Sequence, residues 1–461
     1  MHTRRFQSSI FGASLGPQSA TLAILLTLLF LIIGLLFIIL TAQPAQAQTF
    51  KVIHNFTGGP DGYEPIAGLT IDAAGNLYGT ASNGIPGSCD SSACGTVFKM
   101  THVGSGWLFN ILYSFPGGND GGHPKARVIF GPDGSLYGTT SNGAVGSYCR
   151  FGDGCGTVFR LKPPATACAT ALCPWNETVL HRFTFGYNDD GGHPTDAVIF
   201  DQAGNIYGTA LDGGYLDCNV PYGCGMVFEL TPSQGGWTES IMYKFDALGQ
   251  HGGHNGYPYG GLTFDKAGNL YGTASKGYDN CGVVFQLTPS ASGWQEHDLH
   301  RFSSTGEQWC EGRNRNDDGA FPGEGWLIFD DNGNLYGTTE HGGAYGSGTV
   351  FMLSPSGGGW TFQVLYAFTN GGVGPKSGLS LDAAGNLYGA TYSNGVHGAG
   401  SVFKLSPSDG GWTYTSLHDF TGGSDGADPY SNVTLGTNGK LYGTTQYGGA
   451  YGSGVVWEIT P

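Results

Sequence analysis

Residues 68–82 read Gly-Leu-Thr-Ile-Asp-Ala-Ala-Gly-Asn-Leu-Tyr-Gly-Thr-Ala-Ser. Two short runs rich in β-branched and aromatic residues flank an Asp-x-x-Gly-Asn turn. In such a turn Asp can cap with its carboxylate while Gly takes the left-handed position. The Tyr-Gly pair of this stretch returns at Tyr137, Tyr207, Tyr271, Tyr336, Tyr388 and Tyr442. Downstream of each lies Gly-Thr-Val-Phe or a relative, ending at Phe98, Phe159, Phe228, Phe285, Phe351, Phe403 and Trp457. A Trp followed by a Phe comes next, as in Trp107/Phe115, Trp294/Phe302 and Trp412/Phe420.

Each unit therefore holds four β-type runs. We label them A (Gly-Leu-x-Phe-Asp), B (Asn-Leu-Tyr-Gly-Thr), C (Gly-Thr-Val-Phe-x-Leu) and D (Trp to Phe). Four consecutive antiparallel strands repeated seven times predict an all-β, seven-bladed β-propeller. No helical periodicity appears after residue 47. The segment Phe50 to Phe56 matches strand D, whereas the last unit ends after strand C near Ile459. The N-terminal strand is thus expected to complete the seventh blade and close the ring, leaving no open edge.

The composition agrees. The chain has 83 Gly, 13% aromatic and only 12% charged residues. Glycine supplies tight turns and rings fill the space between sheets. Residues 1–47 read as a targeting segment: Arg4 and Arg5, an apolar run from Leu22 to Leu40, then Ala45-Gln46-Ala47. The run is nearly long enough to span a bilayer, so an uncleaved anchor stands beside a cleaved signal peptide as an alternative. Residues 48–461 form the single propeller domain, expected to be secreted, periplasmic or at the cell surface. Membrane contact is expected only through the first segment. The formal charge is −16, and losing residues 1–47 makes it more negative by two. Such a surface repels phosphate backbones, so nucleic acid is not an expected partner.

Ten cysteines in an exported chain read as disulfides. Close pairs are Cys89/Cys94, Cys149/Cys155, Cys168/Cys173 and Cys218/Cys224, with Cys281 and Cys310 left to pair on one face.

The combination Asp-Gly-x-x-Pro, Gly-Asn-Leu-Tyr-Gly-Thr, Gly-Thr-Val-Phe, Gly-Trp and Leu-Tyr-x-Phe resembles the GloVer tandem-repeat family of bacterial exported proteins. The resemblance covers essentially all of residues 50–461. It implies an extracytoplasmic propeller and carries over no catalytic residues. Family members have varied C-terminal anchors; this chain departs there, ending directly after the last strand.

In a propeller the D–A and B–C links share one face. Asp61, Asp120, Asp190, Asp318 and Asp425 lead a recurring D–A motif. They are candidates for a Ca²⁺ ring, since Ca²⁺ takes many oxygen ligands, or each caps its own turn. His123, His193 and His254 follow Gly-Gly in consecutive D–A links, and histidine is a common base or metal ligand. Strand A has a column reading Gly68, Arg127, Ala197, Gly261, Trp326, Gly378, Asn432. Small residues fit where strands crowd the axis; Arg127 and Trp326 break that rule. Asp196 precedes this column and Glu324 lies nearby. An Arg, two acids and a Trp around one channel mouth suit a sugar or carboxylate, or else plug the channel with an Arg127–Asp196 ion pair. No His-Glu-x-x-His, phosphate-binding loop or sialidase-type Asp box occurs.

The sequence thus favours a non-catalytic, monomeric binding propeller for an extracellular glycan, peptide or envelope protein. A carbohydrate-active hydrolase or lyase on the same face is one alternative. A structural envelope protein is another. No cofactor is expected unless Ca²⁺.

Overall fold

A computed structural model describes residues 48–84, 94–144, 149, 154–164, 174–185, 190–215, 222–246, 255–277, 281–291, 293–302, 318–369 and 371–461. These form seven four-stranded antiparallel blades, with one added strand and one small two-stranded ribbon beside them, and a single 3₁₀ turn at Gly118–Asp120. In the first blade, strands A to D are Thr70–Ile71, Leu77–Ala81, Thr96–Val103 and Gly106–Ser114. The seventh blade takes strands A to C from Thr434–Leu435, Leu441–Thr445 and Val455–Thr460, and strand D from Thr49–Asn55. Phe50 pairs with Ile459 and Val52 with Trp457, so the first strand closes the ring as the sequence predicts.

The repeat residues explain themselves locally. Asp72 Oδ1 accepts from the amides of Ala74 and Asn76 (3.0 and 2.8 Å), and its Oδ2 accepts from Asn76 Nδ2 and Tyr78 OH (2.7 and 3.0 Å). The same set recurs at Asp265, Asp330 and Asp382. The repeat tyrosine is therefore kept for its hydroxyl as well as its ring. Gly79 faces the Phe98 ring, where a Cβ would come within 2.5 Å of Cζ. That closeness excludes any larger residue beside the strand-C phenylalanine. The following Thr80 donates to Ala126 O of the next blade at 3.1 Å, and Thr139, Thr338 and Thr444 do likewise.

Seven hydrophobic clusters fill the seven gaps between blades. Between blades four and five, Tyr271, Val284 and Phe302 meet Leu327, Leu335, Phe351 and Leu353. Each fully buried Phe removes apolar surface worth about 2–3 kcal/mol from water. The core is thus distributed around the ring, which frees the axis for other chemistry.

Candidate functional site

Strand A of every blade runs along the axis, and the D–A link delivers the chain to it. A cavity of about 510 Å³ opens there on the D–A/B–C side. A second of about 520 Å³ lies along strand A, and Arg127, Trp326 and Asn432 line both. The guanidinium carbon of Arg127 sits 3.6 Å from the centroid of Trp326. This pair forms a floor between the two cavities. Burial pulls the Arg127 pKa down to about 10, with the Asp196 charge acting against it, so the cation persists at neutral pH.

The Arg127–Asp196 ion pair considered from sequence is not formed. Arg127 Nε and Asp196 Oδ2 are both buried without a hydrogen-bond partner. Asp196 Oδ1 accepts from the amide of Ala197 at 2.6 Å. Burial pushes the Asp196 pKa up to about 7, against the Ala197 amide, the Arg127 charge and the nearby Gly261 amide; the Glu324 charge adds to the rise. A glycine makes the space: a Cβ on Gly261 would come within 2.9 Å of Asp196 Oδ2.

Glu324 accepts a hydrogen bond from Tyr430 OH. Lys376 Nζ lies 4.9 Å from the Tyr430 centroid and 4.8 Å from that of Tyr392, and 3.8 Å from Glu340 Oε2. Burial raises the Glu340 pKa to about 7, with Lys376 opposing.

Six of the predicted ligand residues therefore line one cavity: His123, His193, Arg127, Asp196, Glu324 and Trp326. His193 Nδ1 lies 2.8 Å from Asp212 Oδ2. His123 and His193 are equivalent positions, each just before the D–A proline and each at left-handed φ, 55° and 53°. Their counterpart in the next link is Tyr257, at φ 60°; His254 lies outside the described residues. The amides of these three donate to Cys94, Cys155 and Cys224 O of the preceding blade. That bond holds a conformation that bulky residues rarely adopt.

Each of the five D–A aspartates has a hydrogen-bond partner in its own blade. Asp61, Asp318 and Asp425 lie 3.3, 3.1 and 3.1 Å from His54, His300 and His418. Asp120 accepts from Tyr113 OH at 3.1 Å, and Asp190 from Thr184 and Phe185. Asp61, Asp190 and Asp425 also cap their own turns, accepting from the amides of Thr57, Thr184 and Thr421.

Cys149 and Cys155 are bonded, as expected. Cys94, Cys224 and Cys281 are also in disulfides. Cys89, Cys218 and Cys310, assigned to them from sequence, lie outside the described residues. Cys168 and Cys173, expected to pair with each other, both lie outside the described residues as well. The Gly-x-Ser-x-Gly string at Gly422 to Gly426 is a D–A turn and lacks the strand-to-helix elbow of hydrolases.

One column was read from the sequence only at Glu324. Ile66, Lys125, Thr195, Tyr259, Glu324, Lys376 and Tyr430 stand two residues before the strand-A column, and all line the cavity. Their variety, at a place where neighbouring columns repeat, was the available signal.

The sequence profile described as "Gloeobacter/Verrucomicrobia repeat" matches residues 34–181, 88–324 and 313–461. The chain belongs to the Gloeobacter/Verrucomicrobia repeat family. No curated protein matches this repeat protein. Two solved structures are similar to it at 16% identity. One is a putative oxidoreductase (glucose dehydrogenase) from Thermus thermophilus, covering 73% of this chain and 96% of that one with a TM-score of 0.40. The other is a putative 6-phosphogluconolactonase from Bacteroides uniformis, covering 82% and 88% with a TM-score of 0.45. Neither likeness bears on what the repeat protein binds.

Proposed function

We propose that this repeat protein is an extracytoplasmic binding propeller whose axial cavity takes a small polyhydroxylated ligand, a sugar or sugar acid. One observation carries the reading. Arg127 Nε, Asp196 Oδ2, Ser377 Oγ and Asn432 Oδ1 are buried, lack hydrogen-bond partners and belong to residues lining that cavity. An unsatisfied buried polar group costs about 1–3 kcal/mol, which ligand hydroxyls would recover. Tyr259, Tyr430 and Trp326 add aromatic surface to the same wall. Flat apolar faces beside convergent polar groups suit a ring that is apolar above and hydroxylated at its edge. A glycan array followed by calorimetry on residues 48–461 tests this. Binding is expected, weakened about tenfold or more by Asn432→Gly, about 1.4 kcal/mol. A silent array overturns it.

A second reading draws on Asp196, whose raised pKa leaves it partly protonated near neutrality, with Glu324 lining the same cavity. Two carboxyls facing one cavity can serve glycoside cleavage. A degradation assay on the bound glycans decides: turnover abolished by Asp196→Asn supports hydrolase or lyase, and absent turnover discards it.

A further inference from the structure

Neighbouring blades meet through one repeated contact between strands D. At four of the seven junctions it is a ring stack. His54 lies on Phe109, His300 on Phe362, Tyr366 on Tyr414 and His418 on Phe50, with centroids 3.9, 3.7, 4.6 and 3.7 Å apart and planes within 10°. In blades two, three and four the second ring is replaced by Glu177, Glu239 and Glu296. At two of these three the glutamate faces a tyrosine: Tyr243 OH donates to Glu296 at 2.6 Å, and Tyr113 feels the charge of Glu177. Between blades two and three it faces a histidine.

That junction differs from its sisters. His54, His300 and His418 bring Nε2 within 3.1–3.3 Å of their D–A aspartate. His181 Nε2 stands 4.0 Å from Asp190 Oδ2 and 3.7 Å from Glu239 Oε2. It is buried and makes no hydrogen bond. Donor atoms of the three residues all lie within 4.8 Å of one another, and among the described residues this is the one such group.

We propose that His181, Asp190 and Glu239 bind a divalent transition-metal ion, with Zn²⁺ as the best match, that clamps blade two to blade three. One imidazole nitrogen and two carboxylate oxygens are an ordinary Zn²⁺ donor set, leaving a position for water. Bonds of about 2.0–2.2 Å to a tetrahedral ion place donors roughly 3.4 Å apart. The observed 3.7 and 4.0 Å are too long for hydrogen bonds and close to that spacing. The outer contacts fit as well. Asp190 is oriented by the Thr184 amide, the Thr184 hydroxyl and the Phe185 amide at 3.1, 2.9 and 3.0 Å. His181 is held edge-on to Phe183, with centroids 4.7 Å apart. Such anchoring of ligands is what metal sites require. The three side chains keep 11–16% exposure, which leaves a path for an ion.

The test uses tag-free protein stripped with a chelator, dialysed against Zn²⁺ and assayed by elemental analysis and thermal melting. About one Zn²⁺ per chain and a melting point raised by a few degrees are expected. His181→Ala is expected to lose both. Glu239→Phe re-creates the stacked junction of His54/Phe109 and His300/Phe362, so it should fold with the metal-free melting point and retain no Zn²⁺. The proposal falls if wild-type protein retains no Zn²⁺, or if both variants retain as much as wild type. It also falls if Ca²⁺ raises the melting point and Zn²⁺ does not.

Discussion

Arg127 lies over Trp326, guanidinium carbon 3.6 Å from the ring centroid, although the two residues come from strands A of blades two and five. The contact crosses the axis and separates two cavities. Trp326→Gly installs the residue that Gly68, Gly261 and Gly378 supply elsewhere. It should cost about 1–2 kcal/mol, the worth of a desolvated cation–π pair. Urea denaturation reads that loss, and calorimetry should show glycan affinity falling with it.

Asp196 makes stability fall with rising pH. Its pKa is raised from 3.8 to about 7, so between those values the folded state holds a proton that the unfolded state releases. The contribution is intact near pH 4, declines through pH 7 and is flat above. Asp196→Asn is therefore expected to stabilise at pH 8 relative to pH 4 by roughly 2–4 kcal/mol. Paired denaturation curves at the two pH values check the sign.

Asp382 acts in the opposite sense. Burial alone would raise its pKa, but hydrogen bonds from Asn386, Tyr388 and Ala384 outweigh this and lower it. Its contribution is present above the unfolded pKa near 3.8 and is lost as pH falls through the folded value. Asp382→Ala should cost about 1–3 kcal/mol at pH 7, and much less at pH 2. Tyr388→Phe, which removes only the hydroxyl at 3.0 Å, should cost about 1 kcal/mol.

Deleting residues 48–56 removes strand D of the seventh blade and exposes the edge of Val455–Thr460. It also removes Phe56, fully buried between blades seven and one. The truncated protein should aggregate or be cleaved in the seventh blade by limited proteolysis, whereas the intact protein resists.

The repeat made much of this legible. Asp72, Asn76, Tyr78 and Gly79 satisfy one another within a single turn and strand, so their spacing alone announces the blade. The cavity was legible where a residue broke a column of small ones, as Arg127 and Trp326 do. Tyr430 and Lys376 were missed because their column, from Ile66 to Tyr430, shares no residue type around the ring that one blade could break. The His181 junction was hidden for a related reason. His181 matches His54, His300 and His418, and only Glu239 on the neighbouring blade sets it apart.

The sequence by itself determined seven four-stranded blades, because each blade depends on hydrogen bonds and packing between residues close along the chain; the offset closure by Thr49–Asn55 pairs the two ends of the chain and was legible because that segment matches strand D while the last unit ends after strand C. Only the tertiary structure decided that Arg127 chooses Trp326 over Asp196, and that Asp196 Oδ2 is left facing Gly261 without a partner. Those relations cross the axis or span blades. Their distances are fixed by ring closure and by desolvation inside the channel, and no local spacing encodes either.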